Sequence, residues 1–205
     1  MQHPCISVVV PVYREQATIS PFLSHVQHIF SGTSHEIIVV DGSPEQETIA
    51  QLHDPKIHTM SSGPGRSRQM NYGAQTAQGD ILLFVHVDTR LPDCTQALIL
   101  EALNKEGVVG GAFSLKINSQ DPFLRLIAFV ANLRSRWTRV PYGDQALFMH
   151  KAYFEKIGRF PEIPLMEDLE LMHRVRKKGW KIAILQEKVA TSPRRWHQEG
   201  QIACT

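Results

Sequence analysis

Apolar runs that alternate with helical patterns constrain the fold of this chain more than any other feature of its sequence. Short runs rich in valine and isoleucine predict four buried strands, at residues 6–12, 36–40, 56–60 and 81–86. Apolar residues at helical spacing predict helices between them, at residues 15–30, near 45–52 and at 66–77. This order implies an α/β fold with a Rossmann-like, mostly parallel central sheet and helices on both faces.

The second half of the sequence is less regular. Its patterns predict helices at residues 93–105, 122–137, 151–157 and 167–178. They predict strands at residues 108–117, 144–150, 180–185 and 188–191. No internal repeat, low-complexity tract or linker interrupts the sequence, so we predict a single domain over residues 1–205.

Composition and charge exclude several classes of protein. A formal net charge of +2 is too small to indicate a nucleic-acid partner. The three cysteines are far apart, without metal or disulfide spacing, which favours a reducing compartment. The N-terminus lacks the basic region of a signal peptide, and the apolar stretch at 123–133 is shorter than the roughly 20 residues of a membrane span. We expect a cytoplasmic protein and leave peripheral contact with the inner face of the membrane open.

Acidic residues follow two of the predicted strands and begin a late helix. Asp41 follows strand 36–40 and Asp88 follows strand 81–86, so a parallel sheet would place both at its ligand-binding edge. Glu167 and Asp168 begin the helix at 167–178. Each position alone also fits a turn, a cap or a helix-dipole interaction. The combination in this order predicts a binding site.

Five segments, in order along the chain, resemble motifs of inverting family 2 glycosyltransferases of the GT-A fold. They are SVVVPVYREQATI (7–19), EIIVVDGSPEQET (36–48), an N-x-G-x-x-x-A-x-G pattern (71–79), HVD (86–88) and MEDLELMHRVRKKG (166–179). With HVDT in place of the usual Asp-x-Asp, the chain is similar to a small bacterial subgroup. The resemblance implies a nucleotide-binding half at about 1–92 and an acceptor and catalytic half at about 93–205.

The resemblance implies a divalent cation, Mn²⁺ or Mg²⁺, at Asp88. Such a cation stabilises the departing diphosphate of a sugar nucleotide and prefers oxygen ligands. His86 occupies the position of the first Asp of the family's motif. It is either a metal ligand, which would favour Mn²⁺, or a neighbour of the site that packs there or contacts the ribose.

The resemblance also assigns residues to the nucleotide. They are Pro11, Tyr13, Glu15, Asp41 and Asn71. The family usually has a second Asp before Gly-Ser, and an Arg where this chain has Met70. Arg66 lies four residues before Met70 on the same helical face and is predicted to supply the missing cation.

For catalysis, the resemblance makes Asp168 the general base, with Glu167 orienting it or the acceptor. Gly111, Asp144 and Gln145 are predicted to line the sugar or acceptor pocket. Arg195 and Trp196 belong to a SPRRW segment that resembles the QxxRW motif of processive relatives, with Ser in place of Gln. They are further candidates for the acceptor site.

The predicted function is metal-dependent transfer of a sugar from a nucleotide-sugar donor, with UDP- and GDP-sugars favoured, to an unidentified acceptor hydroxyl. Lipid-linked molecules are among the acceptors considered. Two alternatives remain open. One is a non-catalytic protein that binds sugar nucleotides. The other is a nucleotidyltransferase, although PVYREQ lacks the glycine-rich loop of that class.

Overall fold

A computed structural model of the chain describes residues 5–194. Its sheet contains β1 Ile6–Val12, β2 His35–Asp41, β3 Ile57–Ser61, β4 Ile81–Phe84, β5 Thr89–Arg90, β6 Val108–Ile117, β7 Phe148–His150 and β8 Lys181–Thr191. Its α-helices are α1 Gln16–Ile29, α2 Arg66–Thr76, α3 Thr95–Leu103, α4 Pro122–Thr138, α5 Lys151–Lys156 and α6 Glu167–Lys177. The strands lie in the order β3-β2-β1-β4-β7-β6-β8-β5.

The first four strands form the parallel part of the sheet. β1 lies between β2 and β4, β3 pairs with β2, and all three pairings are parallel. Every residue of β1 is buried, as expected for a strand covered on both faces. The carboxyl ends of β1, β2 and β4 therefore meet at one edge of the sheet, as the sequence predicts.

Helices cover both faces of the sheet. One hydrophobic cluster joins side chains of α1, α3 and α4 to the face that contains Val8 and Val10. The other joins α2, α5 and α6 to the face that contains Val9. Successive strand residues point to opposite faces, so β1 contributes to both cores. Each fully buried aliphatic side chain stabilises the fold by about 1.5–3 kcal/mol.

Gly73 brings α2 close to the sheet. A Cβ atom at this position would lie 2.5 Å from Cγ1 of Val9 and 3.1 Å from Cγ2 of Val40. No rotamer change of one side chain relieves two such contacts in a packed core, so a larger residue would push the helix outward. This contact gives a structural reason for the glycine of the N-x-G pattern.

The second half of the sheet is mixed rather than parallel. β7 is antiparallel to both β4 and β6, and β5 is antiparallel to β8, whereas β6 and β8 are parallel. The predicted mostly parallel sheet is confirmed, because the antiparallel pairings all involve the short strands β5 and β7 and the long pairings are parallel. The periodicity of a short apolar run carries no information on strand direction.

Several predicted elements differ from the structure. Near residues 45–52 only a 3₁₀ turn forms, Ile49–Gln51, and the predicted strand at 144–150 is limited to β7 after a 3₁₀ turn at Gly143–Gln145. The two predicted strands at 180–191 are one strand, β8, whose pairing with β6 shifts register. The strand at 81–86 ends at Phe84, and the short β5 that follows was not predicted.

The longest helix is α4, whose ends are well defined. Asp121 caps its start by accepting a 2.8 Å hydrogen bond from the backbone N–H of Phe123, and Pro122 occupies the first turn. It ends at Arg139, which has a left-handed backbone with φ of 58°. No helix within residues 5–194 is long and apolar enough to cross a membrane.

Candidate active site

A cleft of about 400 Å³ opens at the carboxyl ends of β1 and β4. Seven of the predicted site residues line it: Pro11, Tyr13, Glu15, Arg66, His86, Asp88 and Asp144. They come from the ends of two strands, the start of α2 and the loop after α4. The topology therefore gathers them at the edge where parallel sheets bind ligands.

One end of the cleft is formed by the loop after β1. The ring of Tyr13 is 48% exposed, and the guanidinium of Arg14 lies 5.5 Å from its centroid. The Glu15 carboxylate accepts a 2.6 Å hydrogen bond from Thr18 Oγ1, which fixes it at the start of α1. An exposed aromatic ring next to an oriented carboxylate suits a base and a ribose, which need stacking and hydrogen-bond acceptors.

The centre of the cleft is acidic. Burial raises the pKa of Asp88 above its usual value, the negative charge of Asp144 adds to this rise, and the positive charge of Arg194 opposes it. His86 Nε2 lies 3.8 Å from Asp144 Oδ1. Two carboxylates with little water around them repel each other, and a cation between them and a ligand would relieve that repulsion.

The residues present fit a divalent cation that is shared with a ligand. Within residues 5–194, no group of three or more His, Cys, Asp or Glu side chains converges to hold a metal. Mg²⁺ in phosphate-binding sites, however, is usually held by one or two carboxylates together with substrate phosphates and water. Asp88, with Asp144 and His86 nearby, matches this incomplete arrangement rather than a closed metal site.

Two guanidinium groups face the acidic centre. Arg66 is the first residue of α2, and Gly65, with φ of 127°, directly precedes it. The free backbone N–H groups of this first turn favour the binding of phosphate. The Nε atom of Arg66 lies 3.8 Å from Glu167 Oε1. Arg194, from the segment after β8, donates a 2.6 Å hydrogen bond to Glu15 Oε1. Both cations are available to an anionic ligand in the cleft.

Glu167 and Asp168 are held at the start of α6. Their exposed fractions are 4% and 8%. Asp168 Oδ2 accepts a hydrogen bond from the backbone N–H of Gly143, and Oδ1 accepts one of 2.8 Å from that of Leu169. Burial raises the pKa of Glu167 above its usual value, and the positive charge of Arg66 opposes this rise.

Gly143 separates Asp168 from His86. A Cβ atom at residue 143 would lie 3.2 Å from Asp168 Oδ2 and 3.6 Å from His86 Nε2. Because residue 143 has no side chain, the gap between the Asp168 carboxylate and the His86 imidazole stays free of one. Asp168 adjoins the cleft through this gap, although it is not among the residues that line the cleft.

Two predicted nucleotide ligands have structural roles outside the cleft lining. The side chain of Asp41 is fully buried and accepts hydrogen bonds from Ser43 N, Ser43 Oγ and Thr48 N. It shapes the loop after β2, and this capture of backbone N–H groups replaces the helix predicted there. The Asn71 amide exchanges two hydrogen bonds with the backbone of Phe160. A direct nucleotide contact by either residue would require rearrangement.

Two predicted acceptor residues are also occupied by the fold. Gln145 is fully buried and donates a 2.9 Å hydrogen bond to the Phe113 carbonyl, and its Oε1 accepts one of 2.7 Å from Ser135. At Gly111, a Cβ atom would lie 2.5 Å from the Ala183 carbonyl oxygen. This glycine permits the close approach of the β8 backbone and of the Phe148 ring, whose Cζ would lie 2.5 Å from the same Cβ. Arg195 and Trp196 lie outside the described residues.

The structure adds cleft residues that the sequence did not reveal. Arg194 directly precedes the predicted pair Arg195 and Trp196 in the SPRRW segment, and among the described residues of that segment it lines the cleft. Gln69 lies one turn after Arg66, a helical spacing that could have identified it. Its amide donates hydrogen bonds of 2.6 and 2.8 Å to the Val12 and Val40 carbonyls, which ties together the ends of β1 and β2.

The fold is that of GT-A glycosyltransferases. It superposes on the mannosyltransferase PcManGT of Pyrobaculum calidifontis, solved with GDP-Man and Mn²⁺, with a TM-score of 0.71 and 18% identity. That match covers 91% of this chain and 56% of the mannosyltransferase. The sequence profile of glycosyl transferase family 2 matches residues 7–160, and the chain belongs to this family.

Two relatives are similar over nearly the whole chain. A probable glycosyltransferase of Bacillus subtilis, YdaM, is 24% identical, over 97% of this chain and 51% of its own length. The beta-monoglucosyldiacylglycerol synthase of Synechocystis is 22% identical, over 98% of this chain and 47% of its own length. The chain thus spans about half the length of these relatives.

Proposed function

We propose that this chain transfers a sugar, with inversion at the anomeric carbon, from a UDP- or GDP-sugar to a hydroxyl group of an acceptor. The observation that supports this most is the convergence of Asp88, Arg66 and Arg194 on one cleft with Asp168 adjoining it. A nucleotide-sugar transferase needs positive charge for a diphosphate and a carboxylate for the acceptor proton, and these residues supply both.

The donor would lie along the cleft with its nucleoside at Pro11, Tyr13 and Glu15. The exposed ring of Tyr13 offers a stacking surface and Glu15 an acceptor for ribose hydroxyls. The structural neighbour in complex with GDP-Man and Mn²⁺ supports a nucleotide-sugar donor in a site of this fold. Asp41 would act indirectly in this proposal, by shaping the loop after β2.

Departure of the nucleoside diphosphate leaves negative charge on its oxygens. A divalent cation bound by Asp88 and the phosphates would withdraw part of this charge. Arg66 and Arg194 donate hydrogen bonds to the same oxygens, and charge-assisted bonds of this kind are about twice as strong as neutral ones. Glu167 positions Arg66 through their ion pair, so its role is one of orientation.

Asp168 would accept the proton of the attacking hydroxyl. Hydrogen bonds from the backbone N–H groups of Gly143 and Leu169 hold its carboxylate in place. An acceptor hydroxyl would approach Oδ2 beside Gly143, where no side chain stands between Asp168 and His86. One displacement with one base inverts the anomeric configuration, because no covalent sugar–enzyme intermediate forms.

The acceptor is proposed to be lipid-linked. The Synechocystis relative is named for a glucosylated diacylglycerol, which is a lipid. The dolichol-phosphate mannosyltransferase of Pyrococcus furiosus, 24% identical over 48% of this chain, is named for a phosphorylated lipid. These names support the class of acceptor and do not identify the acceptor of this chain.

Donor binding by the wild-type protein and by Asp88→Asn tests the proposal. Calorimetry with UDP-glucose and with GDP-mannose should show binding that requires Mn²⁺ or Mg²⁺ and is lost on adding EDTA. Asp88→Asn should weaken the metal-dependent binding by at least about 10-fold, since it removes a charged metal ligand. Asp93→Asn, the same change at an exposed residue outside the cleft, is the matched control.

Two results would contradict the proposal. Donor binding that is equal with and without EDTA, in both the wild type and Asp88→Asn, would remove the metal assignment. Metal-dependent binding without any release of nucleoside diphosphate, in the presence of acceptor lipids or water, would instead indicate a non-catalytic sugar-nucleotide-binding protein.

A further inference from the structure

One helix of this chain exposes a large apolar face to solvent. On α4, side chains opposite the buried Leu124 and Ala128 are exposed by 42–82%: Phe123, Leu126, Phe129, Val130, Leu133 and Trp137. At 100° per residue these six positions form one continuous arc of the helix surface. Contiguous apolar patches of this kind are uncommon on soluble monomers and mark interaction sites.

The charge of α4 indicates what covers this face. Its sequence, PFLRLIAFVANLRSRWT, contains three arginines and no acidic residue. Arg125 and Arg136 lie at one border of the apolar arc, at helical positions next to Phe129. A helix with Phe, Leu and Trp on one side and basic residues beside them has the composition of helices that lie in the interface of a bilayer.

A groove beside α4 extends the positive charge. It has a volume of about 720 Å³ and lies between α4 and the ends of β6 and β8. Among the described residues, its lining includes the cations Lys116, Arg125 and Lys188 and the apolar Leu126 and Phe129, and it includes no carboxylate. Cations on one side and exposed apolar side chains on the other match the headgroup and the upper acyl chain of an anionic lipid.

We propose that α4 and this groove form a docking surface for an anionic phospholipid bilayer. The apolar arc enters the boundary between headgroups and acyl chains, and Lys116, Arg125 and Lys188 contact lipid phosphates. A second copy of the chain fits less well, because an isologous contact through α4 would bring the arginines of both copies together. The surface lies on the opposite side of the sheet from α6, whose last turn is also basic but lacks an apolar arc.

Docking would also orient the candidate active site. Arg134 of α4 donates a 2.9 Å hydrogen bond to the Val140 carbonyl, and its guanidinium stacks 3.8 Å from the centroid of the Tyr142 ring. Ser135 donates a 2.7 Å hydrogen bond to Gln145. The C-terminal end of α4 is therefore joined to the loop that carries Gly143 and Asp144. A bilayer bound by α4 would therefore lie at a defined position relative to the cleft.

Vesicle flotation with the full chain tests this surface without donor, metal or acceptor. The wild type should float with vesicles of equimolar phosphatidylglycerol and phosphatidylcholine and bind pure phosphatidylcholine weakly. Leu126→Ser combined with Phe129→Ser should reduce binding by at least about 10-fold for each side chain removed from the bilayer. Both residues are exposed, so the fold should be retained. The matched control combines Tyr72→Ser and Tyr153→Ser, exposed aromatic residues on the other face of the sheet.

The cations are tested in the same way. Changing Lys116, Arg125 and Lys188 together to Gln should lower the affinity for anionic vesicles by about 5-fold per charge, on the order of 100-fold in total. The same change at Arg176, Lys177 and Lys178, at the C-terminal end of α6, removes equal charge from the other side of the sheet and should have little effect. Added salt should weaken wild-type binding.

Three outcomes would overturn the proposal. They are a wild-type protein that does not float with anionic vesicles, equal losses in the α4 variants and their controls, and a wild-type dimer that becomes monomeric in the α4 serine variant. Asp168→Asn should float like the wild type. A failure of the proposed catalysis would therefore leave this result unchanged, and the two proposals are tested separately.

Discussion

Arg194 and Glu15 are 179 positions apart in the sequence and are joined by a hydrogen bond of 2.6 Å at the mouth of the cleft. This contact connects the loop after β1 to the segment after β8. The hydrogen bond to Glu15, together with the negative charges of Glu15 and Asp88, raises the pKa of Arg194 above its usual value, so the guanidinium remains charged. The cleft thus contains a cation whose position depends on both ends of the chain.

Arg194→Gln should weaken the binding of UDP or GDP by about 10-fold or more, because a charge-assisted hydrogen bond to a phosphate is lost. Binding of the corresponding nucleoside, which lacks the diphosphate, should change little. Calorimetry measures both. Arg174→Gln is the control, since Arg174 forms a partly exposed pair with Glu170 and does not line the cleft. A similar loss for nucleoside and diphosphate would place Arg194 away from the phosphates.

His86→Asp should change the choice of metal. His86 Nε2 lies 3.8 Å from Asp144 Oδ1, beside Asp88. Imidazole suits Mn²⁺ better than Mg²⁺, whereas a carboxylate suits both. We expect the ratio of donor affinity with Mg²⁺ to that with Mn²⁺ to rise several-fold in His86→Asp. An unchanged ratio would make His86 a neighbour of the metal and not a ligand.

Asp168→Asn should reduce sugar transfer by about 100-fold or more while leaving the donor dissociation constant within a few-fold of the wild-type value. Both carboxylate oxygens accept backbone hydrogen bonds, and an amide can keep only one of them. A loss of stability of about 1 kcal/mol is therefore expected as well. Transfer assays, donor calorimetry and thermal unfolding separate these effects. Near-normal transfer would require another base, and Asp144 would be the next candidate.

Glu167→Gln should raise the melting temperature at neutral pH. Burial raises the pKa of Glu167 above its usual value of 4.5, so ionised Glu167 destabilises the folded state. Protonated Glu167 contributes to the stability of the fold. This contribution is complete below the pKa that Glu167 has in the unfolded state, and it is lost as the pH rises through the higher pKa of the folded state. The difference between variant and wild type should therefore shrink at acidic pH.

A control variant separates this effect from a general change in helix charge. Glu170→Gln alters the same helix at a more exposed residue that pairs with Arg174. It should not reproduce the pH-dependent gain. Equal differences in melting temperature at all pH values for Glu167→Gln would indicate that ionisation of Glu167 is not the cause.

The first part of the fold, and the location of Asp88 and Asp168 at the ends of elements, can be predicted from the sequence. Strands β1, β2, β3 and β4 follow from buried apolar runs, since a strand covered on both faces must be apolar along its length. Asp88 after β4 and Asp168 at the start of α6 follow from the ends of such elements. Hydrophobic periodicity and element ends are local properties, so a sequence displays them directly.

Only the tertiary structure decided which side chains share the cleft and which are used by the fold. Asp41 and Gln145 resemble ligand-binding residues in sequence, but buried backbone groups need hydrogen bonds, and these two side chains provide them. Arg194 reaches Glu15, and Asp144 reaches His86, through pairings of strands and helices distant in sequence. Packing likewise decides which side of α4 forms the exposed apolar arc. Periodicity shows that the helix is apolar, and only the packed sheet shows which of its sides remains uncovered.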